Sequence, residues 1–328
     1  MLIVDQVSKV YRLKKRVGLL RSEWQDVPAV NKLSFQIEPG KIVGLLGING
    51  AGKTTTIKMC STLLEPSGGS ISVNGLDVVK QDRQVKSLVN MIAGGERMLY
   101  WRLTGRENLV YFGHLYGLSS SLLAERIPQL LKEVGIEEAA DTPVERYSKG
   151  MKQRLQIARG LINDPEYIFL DEPTLGLDVA IAKHLRKYVK ELVQAKGKAV
   201  LLTSHYIQEV EELCDDIYVI DKGRLIAHGT PERLTKSLFK ESTLRVTLPQ
   251  ISESLAEGLR ELMQSHVFSW EVQEAAEEGC ELIIRSEADV TSPILALISS
   301  NKLPVLKLTS EHPKLEDAIV YLAEGRSA

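Results

Sequence analysis

The chain has 328 residues, of which 44% are hydrophobic and 26% are charged. This composition is typical of a folded chain with one large domain and a smaller one, and it excludes disorder. The net charge of −2 excludes a strongly basic nucleic-acid-binding protein, so no nucleic-acid partner is expected.

No stretch approaches the ~20 apolar residues of a membrane span, and the N-terminus does not resemble a secretion signal. The three cysteines, Cys60, Cys214 and Cys280, lack metal-ligand spacing, which suits small core residues in a reducing cytoplasm. Charge is uneven, because residues 231–328 hold 16 acidic and 10 basic side chains. We therefore expect two modules.

Five basic residues fall near the N-terminus without an acidic one among them: Arg12, Lys14, Lys15, Arg16 and Arg21. This cluster of basic residues predicts a loop that is exposed to solvent. Contact with anionic lipid or with a partner is the alternative.

Short apolar runs alternate with helical patterns through the first 230 residues. The strand candidates are KIVGLLG, YIFLDE, KAVLLTSH, DDIYVIDKG and RLIAHG. The alternation predicts an α/β fold with a mostly parallel sheet. The pattern is helical between residues 103 and 162, which predicts an inserted helical subdomain at about 95–162. After PERLTK the pattern changes to that of a small α+β domain. We predict one domain over 1–235 and an accessory domain over 236–328.

The segment GINGAGKTT matches the G-x-x-x-x-G-K-[ST] phosphate loop, and it lies between a predicted strand and a predicted helix. Its glycines let backbone N–H groups point at one anion, and the helix dipole adds positive potential. We expect Lys53 to reach the β- and γ-phosphates of a nucleotide, and Thr54 to ligate Mg²⁺. The predicted nucleotide contacts are Gly47, Asn49, Gly50, Ala51, Gly52, Lys53, Thr54 and Thr55.

The strand candidate YIFLDE ends in two adjacent carboxylates. Asp171 is predicted to hold the Mg²⁺ shell, directly or through water. Glu172 is predicted to polarise the attacking water. Together with the phosphate loop, these residues predict a nucleoside triphosphatase.

Three further segments narrow the class: YSKGMKQR with Ser148 as a helix N-cap, TLGLD ending at Asp178, and TSH ending at His205. They resemble the signature, the D-loop and the H-loop of ATP-binding subunits of ABC transporters. The resemblance covers about residues 2–230, and the chain is most similar to the ABC-2 type export subfamily.

The resemblance implies the P-loop NTPase fold of an ABC ATPase and a head-to-tail dimer around two ATP–Mg²⁺. Ser148 and Gly150 would then contact the γ-phosphate of the partner's ATP, and Asp178 would link the two sites. His205 would bind the γ-phosphate and Tyr11 would stack on adenine; a strand-end tyrosine without a ligand is the alternative for Tyr11.

The family also implies partners and a location. The partners are an integral-membrane permease and a second copy or a homologous ATPase subunit. The location is cytoplasmic, peripheral on the inner face of the membrane. The sequence does not identify the transported molecule or the role of the C-terminal domain.

Two features depart from the family pattern. Lys149 replaces a glycine of the signature. The glutamine that senses Mg²⁺ in relatives is also missing, because its position falls at Gly95, with Glu96 beside it. We predict that Glu96 supplies an oxygen to Mg²⁺, and a solvent or backbone role is the alternative. The adjoining residues 98–101, MLYW, either pack against the helical subdomain or dock the permease.

Two other functions are alternatives to transport. A soluble ABC-type ATPase acting on ribosomes or DNA usually carries paired ATPase domains or long coiled coils, and neither is found here. A regulatory nucleotide-binding module without turnover is disfavoured by Glu172.

Overall fold

The fold is taken from a computed structural model that describes residues 1–17, 21–93, 99–204, 206–238, 241–274, 279–311, 315–316 and 319. Two compact units follow one another along the chain, Met1–Pro231 and Glu232–Ala328. Within the described ranges, no helix combines the length and the apolar character that a membrane crossing requires.

Among its described residues, the first unit contains ten strands and most of the helices. In chain order its strands are β1 (Leu2–Val17), β2 (Arg21–Ile37), β3 (Ile42–Leu46), β4 (Gly68–Val73), β5 (Leu76–Asp77), β6 (Val89–Ala93), β7 (Tyr167–Asp171), β8 (Ala199–Thr203), β9 (Asp216–Asp221) and β10 (Arg224–Gly229). Its helices are α1 (Lys53–Cys60), α2 (Asp82–Leu88), α3 (Gly105–Leu115), α4 (Ser120–Glu133), α5 (Lys149–Gly160), α6 (Val179–Gln194) and α7 (Ile207–Leu213), and α8 (Pro231–Leu238) follows at the boundary.

The core sheet has the order β10-β9-β3-β8-β7-β6. The neighbouring pairs β9–β3, β3–β8, β8–β7 and β7–β6 are parallel. The edge strand β10 pairs with β9 in the antiparallel direction. Strands β3 and β8 are buried along their whole length. Val43, Leu45 and Leu201 on these strands share one apolar core with residues of β1, β2 and β4. The predicted α/β class with a mostly parallel sheet is confirmed. The carboxyl ends of β3, β7 and β8 meet at one edge, where ligands bind in such folds.

A second, antiparallel sheet has the order β2-β1-β4-β5, and the sequence did not predict it. Strands β1 and β2 pair without interruption through the basic cluster, from Tyr11 with Val27 to Val17 with Arg21. The predicted solvated loop is therefore wrong. Strands β1 and β2 form a two-stranded ribbon here. Contacts between the two strands stabilise this ribbon, because Lys14 lies 6.0 Å from the Trp24 ring and Arg12 pairs with Asp26 at 3.2 Å.

The helical subdomain is built from α3, α4 and α5, each of which begins at a polar N-cap. Thr104 and Glu107 form a reciprocal capping box at α3. Ser119 accepts a hydrogen bond from the Leu122 amide at α4. Ser148 accepts one from the Met151 amide at α5. These caps satisfy backbone N–H groups that the first helical turn leaves without partners.

The second unit contains β11 (Ser242–Leu248), α9 (Glu253–Leu262), β12 (Phe268–Glu274), β13 (Cys280–Ser286), α10 (Thr291–Ser300) and β14 (Lys307–Glu311). The βαββαβ sequence forms an antiparallel sheet in the order β12-β13-β11-β14, which is the split βαβ arrangement. A separate apolar core joins its sheet to α9 and α10, with Val246, Leu255, Leu282 and Ile294 fully buried.

Candidate functional site

The phosphate loop connects β3 to α1 at the carboxyl edge of the core sheet. Two of its glycines are required sterically. A Cβ on Gly47 would lie 2.2 Å from the carbonyl oxygen of Ile220, and one on Gly52 would lie 2.5 Å from that of Ala29. Both obstacles are backbone atoms of other strands, so neither can move cheaply. The remaining predicted contacts, Asn49, Gly50, Ala51 and Thr55, lie in the same turn or at the start of α1.

Lys53 is the first residue of α1, and only 6% of it is exposed. Its Nζ donates hydrogen bonds to the carbonyl oxygens of Gly47, at 2.6 Å, and of Ile48, at 3.2 Å. Burial lowers the pKa of this ammonium, while the carboxylates of Glu172 and Asp171 raise it. The cation is thus held inside the loop, next to both members of the acid pair.

Asp171 is the last residue of β7, and two threonine hydroxyl groups lie within hydrogen-bonding distance of one of its carboxylate oxygens. Thr203 Oγ1, from the end of β8, donates to Asp171 Oδ1 at 2.6 Å, and Thr54 Oγ1 lies 3.3 Å from the same atom. The structure therefore brings together Thr54 and Asp171, two of the three residues that the sequence predicts as Mg²⁺ ligands. Thr203 was not predicted, although its place at the end of a neighbouring parallel strand is a usable signal.

These oxygen donors fit a magnesium ion. Mg²⁺ is bound through one or two protein oxygens together with phosphate oxygens, and it does not need an all-protein cage. This agrees with the absence of any cluster of three acidic, histidine or cysteine ligands among the residues that the structure describes.

Glu172 follows Asp171 in a left-handed backbone conformation, with φ of 53°. Its amide donates to the carbonyl oxygen of Thr203 at 3.0 Å. The left-handed conformation is uncommon for residues other than glycine, and such residues cluster at functional sites. The chain turns sharply here, so the two adjacent carboxylates do not simply alternate along a strand.

The signature segment starts α5 with Ser148 as its N-cap, as predicted, and both Ser148 and Lys149 are exposed. Tyr147 is buried and donates its hydroxyl to the carbonyl oxygen of Ala139 at 2.5 Å. The tyrosine thus anchors the start of the helix to the preceding segment of the subdomain.

Gly150 is buried, and a Cβ at this position would lie 2.3 Å from Cδ1 of Ile181 in α6. The lack of a side chain at Gly150 therefore has a reason within the chain, in addition to the predicted approach of phosphate. The sequence could not show this contact, because 31 residues separate the two positions.

The D-loop, residues Thr174 to Asp178, contacts the signature helix of the same chain. Gln153 Nε2 donates to the carbonyl oxygen of Pro173 at 2.9 Å. A Cβ on Gly176 would lie 2.3 Å from Lys149 Nζ, so the unusual signature lysine lies directly against the D-loop. Asp178 is exposed and caps α6 by accepting from the Ile181 amide at 2.9 Å.

Tyr11 is half-buried in the interior of β1 and is followed by six more strand residues, so it is not a strand-end tyrosine. Lys9 Nζ lies 5.8 Å from its ring. Two predicted site residues, His205 and Glu96, lie outside the described residues, and their roles stay predictions. Gly95 and Met98 also lie outside them.

An aromatic cluster follows the Glu96 segment. Tyr100 and Trp101 are 48% and 49% exposed. The Tyr100 hydroxyl donates to that of Tyr111 at 3.2 Å, with the two rings edge to face. Lys152 of α5 lies 4.8 Å from the Trp101 ring. Each ring thus packs on the helical subdomain with one side and faces solvent with the other.

The family model described as "ABC transporter" matches residues 30–175. The chain is 42% identical to the ABC transporter ATP-binding protein NatA of Bacillus subtilis (strain 168) over 237 residues, which cover 72% of the chain and 92% of NatA. It is 36% identical to the linearmycin resistance ATP-binding protein LnrL of the same organism over 298 residues, which cover 91% of the chain and 94% of LnrL.

Solved structures give the same picture. A structure of the ATP-binding subunit of an ABC transporter is 31% identical, with a TM-score of 0.61, and the match covers 72% of this chain and 92% of that one. The dimeric structure of the ATP-binding cassette MJ0796 with ADP and Pi also has a TM-score of 0.61, and the match covers 70% of this chain and 98% of that one. Its sequence is 22% identical, so this likeness supports the fold alone.

Proposed function

Because the chain belongs to the ABC transporter family and is an ATP-hydrolysing subunit of that family, we propose that it powers a separate membrane permease of the export type. Two copies, or one copy and a homologous subunit, close around two ATP–Mg²⁺. The observation that carries the proposal is the convergence of Thr54, Thr203 and Asp171 beside a phosphate loop that admits only glycine at two positions.

Each group has a role that follows from its position. The phosphate-loop amides and the start of α1 attract the phosphates, and Lys53 adds a buried cation. Thr54 and Asp171 would hold Mg²⁺, and the ion would neutralise part of the phosphate charge. Glu172 follows Asp171 directly, at the sharp turn after β7, and its carboxylate is assigned to orienting the attacking water.

A single chain supplies two different half-sites in this proposal. The phosphate loop and acid pair serve one ATP, and the exposed Ser148 at the start of α5 serves the ATP of the other subunit. Asp178, at the start of α6, is also exposed and is assigned to the subunit interface. His205 is proposed to bind the γ-phosphate, Tyr11 to stack on adenine, and Glu96 to assist Mg²⁺.

The export assignment is supported by relatives. Besides NatA and LnrL, a Nod factor export ATP-binding protein I from Cupriavidus metallidurans (strain ATCC 43123 / DSM 2839 / NBRC 102507 / CH34) is 40% identical over 218 residues. That protein's name states export, and that of LnrL states resistance. We extend export to this chain and infer that the permease holds it at the inner face of the membrane.

The permease contact is proposed to lie at the aromatic cluster of Tyr100, Trp101 and Tyr111. A groove of about 320 Å³ opens next to the same helix α3, lined by Met91, Phe112, Leu115, Tyr116 and Arg159 among others. It lies between β6 of the core sheet and the helical subdomain. Half-exposed aromatic rings beside an apolar groove are typical anchors for a partner helix.

The proposal is tested with the chain co-purified with a permease and reconstituted into vesicles. MgATP turnover is expected to depend on Glu172, so that Glu172→Gln abolishes hydrolysis and transport while ATP still binds. A chain that shows the same turnover on ribosomes or DNA, and none with a permease, would contradict the proposal in favour of a soluble ATPase.

A further inference from the structure

A buried carboxylate, Glu209 of α7, lies between the two loops that follow β7 and β8. It is 2% exposed. Its Oε2 accepts a hydrogen bond from Ser204 Oγ at 2.5 Å and another from Thr174 Oγ1 at 3.1 Å. Both donors are themselves 4% exposed. One oxygen atom therefore joins the residue after β8 to the first residue of the D-loop.

The contacts of Ser204 extend this network across the position of His205. Ser204 Oγ donates to Glu209 and also accepts from the Tyr206 amide at 3.0 Å. The two sequence neighbours of His205 are thus tied to each other and, through the serine hydroxyl, to Glu209.

The contacts of Thr174 extend the network in the other direction. Thr174 lies two residues beyond Glu172, and its neighbour Pro173 accepts from Gln153 of the signature helix. The carboxylate of Glu209 therefore holds the chain just after the residue assigned to the attacking water. The same segment is attached to the helix that serves the other subunit's ATP.

The surroundings show that this carboxylate is costly to bury. Desolvation raises its pKa, against the lowering effects of the Ser204 and Thr174 hydroxyls and of Arg186 on α6. Its second oxygen, Oε1, is buried and has no hydrogen-bond partner among the described residues. The carboxylate is therefore buried at a desolvation cost, and its described hydrogen bonds are those from the hydroxyl groups of the two loops.

We propose that Glu209 is a positioning residue of the ATPase: it fixes the start of the D-loop and both neighbours of His205 in one geometry, which orients the groups that act on the γ-phosphate. The inference rests on the proposed roles of Glu172 and His205. It assigns Glu209 no contact with nucleotide.

A positioning role predicts a selective loss of turnover. In Glu209→Ala the two loops lose their common acceptor, and kcat is expected to fall about 10- to 100-fold, as small misplacements in other active sites do. ATP affinity and KM should stay close to the wild-type values, because the phosphate loop is not touched. In Glu209→Gln the amide oxygen can accept both hydroxyl groups, so most of kcat should return.

The experiment measures kcat and KM for MgATP, and ATP affinity by calorimetry, on the full chain and its variants. The matched control is Glu211→Ala, an exposed glutamate of the same helix, which should behave as the wild type. Thr174→Val, alone and combined with Glu209→Ala, completes a double-mutant cycle. The combined loss should not exceed that of Glu209→Ala alone, because both remove the same bond.

Three results would overturn the inference: an unchanged kcat in folded Glu209→Ala, an equal loss of ATP affinity, or additive losses in the cycle. If Glu209→Ala does not fold, Ser204→Ala and Thr174→Val each remove one bond and give the same test. The proposed function is judged separately by Glu172→Gln. Full turnover in that variant would reject the function, whereas its loss together with normal turnover in Glu209→Ala would reject only the inference.

Discussion

Replacement of Gly150 by alanine should destabilise the first unit through one contact. The added Cβ would lie 2.3 Å from Cδ1 of Ile181 but 3.4 and 3.9 Å from its Cγ1 and Cγ2. Only the terminal methyl group is too close. Overpacking of this kind costs about 1–3 kcal/mol, and the helix propensity of alanine returns roughly 0.5–1 kcal/mol of it.

A second substitution, at Ile181, should relieve this close contact. Ile181→Val removes Cδ1 and keeps both Cγ atoms, which are then in ordinary van der Waals contact with the new methyl group. This change alone should cost about 0.5–1.5 kcal/mol. Combined with Gly150→Ala it should instead raise stability relative to the single alanine variant, because the methyl group fills the space that Cδ1 leaves.

Urea unfolding followed by circular dichroism measures these differences in the free energy of unfolding. Gly68→Ala is the control, since nothing lies within 4 Å of a Cβ at that position. Equal stabilities of Gly150→Ala and the wild type would refute the reasoning. So would a double variant whose losses simply add.

The remaining predictions concern charge, pH and partner binding. Lys53→Ala should abolish ATP binding in calorimetry, because it removes the buried cation of the phosphate loop; unchanged affinity would contradict its assignment. Burial raises the pKa of Glu209 above the ordinary value of 4.5, so the folded state binds a proton more readily than the unfolded state. The contribution of this proton to the stability of the folded state is therefore complete below pH 4.5 and is lost as pH rises through the folded-state pKa of Glu209. Because glutamine does not titrate, urea unfolding should show that Glu209→Gln gains stability relative to the wild type from pH 4.5 upwards. A stability difference that does not change with pH would contradict this prediction. Tyr100→Ala combined with Trp101→Ala should weaken recruitment to permease vesicles, whereas Leu306→Ala, an exposed apolar change in the second unit, should not; equal recruitment of both would remove the aromatic cluster from the interface.

The local parts of the fold could be predicted from the sequence. The strand, glycine turn and helix around Lys53 follow one another directly, as do the strand and acid pair at Asp171, so short-range pattern and turn chemistry decide them. The N-cap role of Ser148 is local in the same sense. The parallel sheet then follows from the alternation of strands and helices.

The ribbon of β1 and β2 could not be predicted in the same way. Its far end is exposed on both faces, so it lacks the alternation of apolar and polar residues that marks a half-buried strand. Arg12 and Lys14 are stabilised by Asp26 and Trp24 across the ribbon. Such cross-strand pairs become visible only once the register is known.

The inner supports of the site depend on tertiary contacts. Gln153 and Pro173 are 20 residues apart and Thr174 and Glu209 are 35 apart, and no local rule joins them. One signal was available for Glu209, because it lies next to Val210 and four residues before Leu213 on the buried face of a short helix. A carboxylate in an apolar stripe marks a position that requires a polar partner.

We propose that one chain carries two half-sites, which become complete only when ATP joins two copies or homologous subunits. The most direct measurement is the mass of the Glu172→Gln variant in solution by light scattering, with and without MgATP. The account predicts that MgATP converts a monomer into a stable dimer, and that an added Ser148→Arg change prevents this conversion. A variant that binds ATP and remains monomeric at every nucleotide and protein concentration, alone and with its permease, would contradict the account.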